Sequence, residues 1–129
     1  MCKGNVLIVE DDEPVRNLIA TILDSLGFNP IAAEDGLEAL HLLRTVRRRS
    51  PETPCLVLLD LAMPRLGGQE FRRAQLGDPN VAQVPVAVIS GAPDLQAKAE
   101  GLGAVATVSK PIDVDVLTDV VQRHCSILY

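Results

Sequence analysis

Aromatic residues are almost missing from this chain: among 129 residues there are two Phe, one Tyr and no Trp. The core must therefore be built from Leu, Val, Ile and Ala. An excess of positive charge is missing too. Twelve Lys and Arg stand against 17 Asp and Glu, a net charge of −5, which argues against nucleic acid as a direct partner because phosphate binding needs a basic surface. No apolar run approaches the roughly 20 residues of a membrane helix, and Met1-Cys-Lys-Gly-Asn leads into a short apolar strand without a signal-peptide pattern. Only three cysteines occur (Cys2, Cys55, Cys125), an odd number with no C-x-x-C pair. They are expected to be reduced thiols in a cytosolic compartment, with Cys55 a small buried hydrophobe. From these absences a soluble cytoplasmic domain without membrane insertion is expected. At this length, residues 1–129 are expected to form one domain.

The stretch around which the chain is organised is Cys55-Leu-Val-Leu-Leu-Asp60-Leu-Ala-Met-Pro64. An unbroken apolar run between turn signals reads as a strand buried on both faces, and Asp60 stands at its carboxyl end. Val6 to Val9 is a second such strand, ending in Glu10-Asp11-Asp12-Glu13 and then Pro14, a residue suited to a first helical turn. Val15, Leu18, Ile19, Ile22, Leu23 and Leu26 recur at helical spacing up to Gly27. Further along, strands are predicted over 28–33, 84–89 and 104–108. Helices are predicted from Leu37 to about Val46, over 69–76 and 93–100, and around Val114, Leu117, Val120 and Val121. Strand and helix alternate five times, which gives an α/β fold with a parallel sheet covered on both faces.

In a doubly wound sheet the carboxyl ends of the strands share one edge. That edge collects Glu10 and Asp11, Asp60, Ser90 and Lys110. Clustered carboxylates repel unless a proton or cation joins them, and an oxygen-rich set of this kind suits Mg²⁺. Lys110 and Ser90 add an anion site beside the carboxylates, as phosphoryl transfer requires, and a carboxylate can itself be the nucleophile.

Four stretches carry a resemblance: Val6-Leu-Ile-Val-Glu-Asp-Asp-Glu-Pro-Val-Arg16, Leu58-Leu-Asp-Leu-Ala-Met-Pro64 with Gly67-Gly68, Val88-Ile-Ser-Gly-Ala92, and Lys110-Pro111. Over essentially its whole length the chain resembles the receiver domain of two-component response regulators, the CheY-like family. The resemblance implies a flavodoxin-like sheet of order 2-1-3-4-5, with Asp60 as phosphoacceptor and Mg²⁺ held by Glu10, Asp11, Asp60 and the backbone carbonyl of Ala62. Ser90 and Lys110 would bind phosphoryl oxygens, and the peptide before Pro111 would be cis. Within the acid run, counting back from Arg16 and Pro14 favours Glu10 and Asp11, with Asp12 the outside candidate. The phosphoryl donor would be a histidine kinase or histidine phosphotransfer protein. The output would pass to a downstream protein or a fused domain. Such a protein is not a metabolic enzyme; it catalyses only its own phosphorylation and dephosphorylation. Ending at its last helix, the chain fits a stand-alone regulator or a piece of a hybrid kinase or larger regulator.

The chain departs from the pattern at Thr107, where the family carries Tyr or Phe. Thr107 is either a plain strand residue or the mark of an altered output face. With no ring to swing, the family's aromatic switch is not expected to operate. Ala62 and Ala92, two residues beyond Asp60 and Ser90, offer no group to orient water, so a long-lived phosphorylated state is expected. The cluster Arg44, Arg47, Arg48 and Arg49 reads as a solvated helix end, and His41 and His124 as surface or capping residues. The alternative readings are a binding module on the same fold that works without phosphate, and a hydrolase using the acid cluster. An Asp-x-Asp would favour the hydrolase, but its second place is Ala62.

Overall fold

The computed structural model describes residues 4–45, 53–62 and 66–125. Ten elements alternate: β1 (Asn5–Val9), α1 (Glu13–Ser25), β2 (Asn29–Ala33), α2 (Gly36–Thr45), β3 (Leu56–Asp60), α3 (Gly68–Leu76), β4 (Val86–Ser90), α4 (Leu95–Gly101), β5 (Ala106–Ser109) and α5 (Val114–His124). All five strands pair in parallel in the order β2-β1-β3-β4-β5. The chain leaves β1 toward β2 and then crosses to β3 on the other side, so the topological switch lies between β1 and β3.

The period of two along each strand divides the apolar residues between two cores. Val6 and Ile8, Leu56 and Leu58, Ala87 and Ile89, and Val108 meet Ile19, Ile22 and Leu23 of α1 and Leu117, Val120 and Val121 of α5. Leu7 and Val9, Val57 and Leu59, and Val86 and Val88 meet Ala39, Leu40 and Leu43 of α2, Phe71 of α3, and Leu95 and Ala99 of α4. β3 and β4 are buried at every position. This is why the opening run shows no polar alternation.

Helix ends follow local chemistry. After α1 the chain turns at Gly27, whose φ of +93° suits glycine. The Gly27 N–H donates to Asp24 O and the Phe28 N–H to Leu23 O, and both Phe28 and Leu23 belong to one core. At α5 the Asp113 carboxylate accepts from the N–H groups of Asp115 and Val116 at 2.8 and 3.1 Å. The Lys110–Pro111 peptide is cis, as expected.

Several sequence expectations need correction. The fourth strand begins at Val86 rather than Val84, because the Val84 N–H donates to Val81 O and its carbonyl accepts from Gln75 Nε2. Leu18 and Val114, placed in apolar stripes, are exposed, since each helix turns only part of its apolar arc to the sheet. Two of the three cysteines are not free thiols. Cys55, just before β3, and Cys125, which caps α5, have Cα atoms 5.3 Å apart and form a disulfide, a separation that a bridge can span without backbone movement. Cys55 is partly buried against the core rather than a fully buried hydrophobe. Arg44 is paired, its Nε 3.5 Å from Asp78 Oδ2. His41 is exposed and His124 half-buried. Cys2, Val46 to Arg49, and Met63 and Pro64 of the β3 motif lie outside the described residues.

Candidate functional site

β1 and β3 deliver their last residues side by side, Val9 pairing with Leu59. Glu10 follows β1, fixed by its N–H to Ala33 O at 3.1 Å. Arg16, one turn into α1, donates from Nη1 to the carbonyl of Glu10 at 2.9 Å and to that of Asp11 at 3.5 Å. The acidic turn is therefore held from its backbone while its carboxylates remain available. Asp60 ends β3, and Ser90 ends β4 one strand further on. Lys110 is anchored to that strand by its N–H to Ser90 O at 3.0 Å.

Carboxylate oxygens of Glu10, Asp11 and Asp60 lie within 4.8 Å of one another. Glu10 and Asp60 are buried and Asp11 is exposed. Asp12 is not part of this cluster: it is the N-cap residue of α1, and its N–H donates to Glu10 Oε2 at 3.2 Å. The Lys110 ammonium reaches in from β5, its Nζ 2.9 Å from Glu10 Oε1 and 3.5 Å from Asp60 Oδ2. Glu10 Oε1 is buried, facing that ammonium. Three carboxylates against one ammonium leave an uncompensated negative charge. This cluster of carboxylate oxygens fits a hard divalent cation such as Mg²⁺.

The electrostatics carry the same signature. Burial pushes the Glu10 carboxyl up from 4.5 to about 7, helped by the adjacent Asp60 carboxylate, while Lys110 opposes the rise. Burial alone would lower Lys110, but the neighbouring Glu10 and Asp60 outweigh it and hold the ammonium above its usual value.

The backbone around Asp60 is tightly packed. Asp60 Oδ1 accepts from the Ala62 N–H at 3.2 Å, and Ser90 Oγ accepts from the Ala92 N–H at 3.0 Å. Each side chain is thus oriented by the residue two places on, and the Ser90 hydroxyl keeps its own proton to donate. A Cβ at Gly68 would stand 2.8 Å from Asp60 O and from Leu61 Cα, so glycine there lets α3 start against the end of β3. Thr107 pairs with Val88 in β5 and is half-buried.

Sequence reading missed one cluster. Arg72 and Gln75 of α3 are buried and bonded to each other, Arg72 Nη1 donating to Gln75 Oε1 at 2.8 Å. The only available signal was two long polar residues at helical spacing, the pattern of a solvated face.

Known proteins share this sequence pattern and this fold. The profile of the response regulator receiver domain matches residues 6–122. Sporulation initiation phosphotransferase F of Bacillus subtilis is 30% identical over 125 residues, covering 96% of this chain and 95% of that protein. The Regulator of RpoS from Escherichia coli K12 is 36% identical over 121 residues, covering 90% of this chain but 33% of its own length. Among solved structures, the signal receiver domain of a signal transduction histidine kinase from Syntrophus aciditrophicus superposes with a TM-score of 0.81 at 28% identity, covering 95% and 90% of the two chains. The receiver domain of a sensor histidine kinase from Pseudomonas aeruginosa PAO1, solved with magnesium in its active site cleft, shares the fold at 24% identity with a TM-score of 0.82, covering 96% and 98%. A profile match across nearly the whole chain, on a sheet of this order, places the chain in the response regulator receiver domain family of two-component phosphorelay signalling.

Proposed function

We propose that Asp60 is the phosphoacceptor of a Mg²⁺-dependent receiver and that residues 1–129 act as one such domain. The observation that carries this reading is the convergence of the Glu10, Asp11 and Asp60 carboxylates beside the Lys110 ammonium. An Asp60 carboxylate oxygen attacks the phosphorus of a phosphohistidine on a histidine kinase or phosphotransfer protein. The phosphorus–nitrogen bond breaks, the imidazole leaves, and an aspartyl-phosphate remains. Lys110 and the Ser90 hydroxyl then meet the phosphoryl oxygens, drawing Lys110 away from Glu10. Glu10, Asp11, Asp60 and the Ala62 carbonyl would hold Mg²⁺, which when bound neutralises charge on the transferring phosphoryl group. Output follows as a population shift toward the conformation that the phosphoryl contacts favour, read by a downstream protein or a fused domain. The reading assigns the protein to the cytoplasm, where such donors present their phosphohistidine. Treatment with acetyl phosphate and Mg²⁺ followed by intact mass measurement tests it. One added phosphate that disappears with EDTA supports the reading, and no adduct contradicts it.

Glu10 makes a second prediction with two opposite effects. Its folded-state pKa is raised, so it favours folding below pH 4.5, and that contribution is lost as pH climbs to about 7. In EDTA at pH 8 the Glu10→Gln variant should therefore melt higher than wild type, with the gain shrinking toward pH 5. In Mg²⁺ the order should reverse, because the variant has lost a ligand. Identical melting of the two proteins in both conditions would contradict the assignment.

Ala62 and Ala92 lead to a third. Methyl groups beside the acyl phosphate cannot orient an attacking water, so Ala62→Asn should shorten the half-life of the phosphorylated state, with decay followed by mass. An unchanged half-life would count against it.

A further inference from the structure

We propose that Cys55 is a thiol–disulfide exchange site, which accepts a low-molecular-weight disulfide and passes it to Cys125 to close a reversible bridge locking the end of α5 onto the sheet. The bridge joins residues 70 apart in sequence. Both backbones are already fixed: the Cys55 N–H donates to Asn5 O at 2.9 Å beside β1, and the Cys125 N–H donates to Val121 O at 2.8 Å in the last turn of α5. The 5.3 Å between the two Cα atoms is therefore set by the packed sheet and helix and lies within the span that a disulfide bridges. α5 is capped there by Cys125, and among the described residues Leu117, Val120, Val121 and the Cys125 side chain carry its packing into the core.

Accessibility sets the order of events. Cys125 is only 3% exposed, whereas Cys55 is partly exposed. The Cys55 thiolate attacks a disulfide such as oxidised glutathione, forming a mixed disulfide and expelling one thiolate. The Cys125 thiolate then attacks the Cys55 sulfur and expels the second thiol. Two protein thiols thus lose two electrons and two protons, and the small disulfide is reduced to two thiols. Cys55 lies at the amino end of β3 and Asp60 at its carboxyl end. The lock thus acts away from the phosphoacceptor and does not rest on the reading of that site. In a reducing compartment the pair rests open and closes under oxidising conditions.

The test uses the full chain in a Cys2→Ser background, treated with oxidised glutathione, quenched by alkylation and weighed. The parent should lose both alkylatable thiols without retaining glutathione. The further Cys125→Ser variant should retain one glutathione at Cys55, and the Cys55→Ser variant none. Reduction should lower the Tm of the bridged parent by about 10 °C, as closure of so long a loop implies, and leave both variants unmoved. Acetyl phosphate labelling of reduced and bridged protein, run alongside, reports on the phosphoacceptor separately. Two thiols still alkylated after oxidation, glutathione retained equally by Cys55→Ser, or a Tm indifferent to reductant would each overturn the proposal.

Discussion

Asp60→Asn should abolish phosphoryl uptake from acetyl phosphate while leaving the protein folded. Asparagine keeps the shape of the side chain and an oxygen that can still accept from the Ala62 N–H, the contact that orients Asp60. It removes the carboxylate proposed as the nucleophile, and loss of a nucleophile acts on the scale of at least about 100-fold in rate. It also removes one of three converging acids. Glu10, whose carboxyl is pushed up partly by Asp60, becomes easier to ionise, and Lys110 retains it as a partner at 2.9 Å. The variant should therefore melt no lower than wild type in EDTA. Labelling time courses by intact mass, with melting curves on the same samples, check both halves. A variant that takes up phosphate at the wild-type rate would move the chemistry to another group, with Asp11 the first to examine.

Gln75→Leu should cost about 2 kcal/mol or more of stability, because it strands two buried polar groups at about 1–3 kcal/mol each. Gln75 is fully buried. Its Nε2 donates to Val81 O at 3.0 Å and Val84 O at 2.9 Å, bracing the connection between α3 and β4. Its Oε1 accepts from Arg72. Arg72 in turn donates from Nε to Leu102 O at 2.9 Å and from Nη2 to Gly103 O at 3.3 Å, the carbonyls just past the end of α4. The guanidinium thus sits at the negative end of that helix. Burial draws its pKa down, but an arginine stays charged. Leucine fits the volume but leaves the Val84 carbonyl and a guanidinium N–H unanswered, while the Val81 carbonyl keeps only the Val84 N–H. Urea unfolding should show the loss as a lower midpoint at an unchanged slope. A variant within about 1 kcal/mol of wild type, below the cost of one stranded group, would mean that water replaces Gln75.

How much of this was legible in the sequence depended on whether the cause was local. β3 announces itself because all five of its residues are buried, and a strand covered on both faces must be apolar until it ends. Asp60, Ser90 and Lys110 could be placed together because parallel order and strand ends fix their neighbourhood before any side chain is positioned. The acid run was harder. Glu10, Asp11 and Asp12 are alike in sequence, and what separates them is the backbone turn that buries Glu10 and makes Asp12 a helix cap. The disulfide was invisible because its two cysteines are 70 residues apart, brought together only when α5 packs into the core it shares with β3. Arg72 and Gln75 read as solvated because nothing in a helical pattern says that a polar face will be covered by the ends of two other elements. Val84 read as strand for its β-branched side chain, and lost its ladder place to a glutamine nine residues earlier.

The most direct test of the central claim is to trap the phosphorylated protein with borohydride and locate the change by peptide sequencing in the mass spectrometer. Hydride reduces an acyl phosphate to an alcohol and releases phosphate, so an aspartyl-phosphate becomes homoserine. Phosphoacceptor chemistry at the end of β3 predicts homoserine at position 60 alone, dependent on Mg²⁺. Homoserine at Asp11 or elsewhere, or none at all in protein that carries added phosphate, would contradict it.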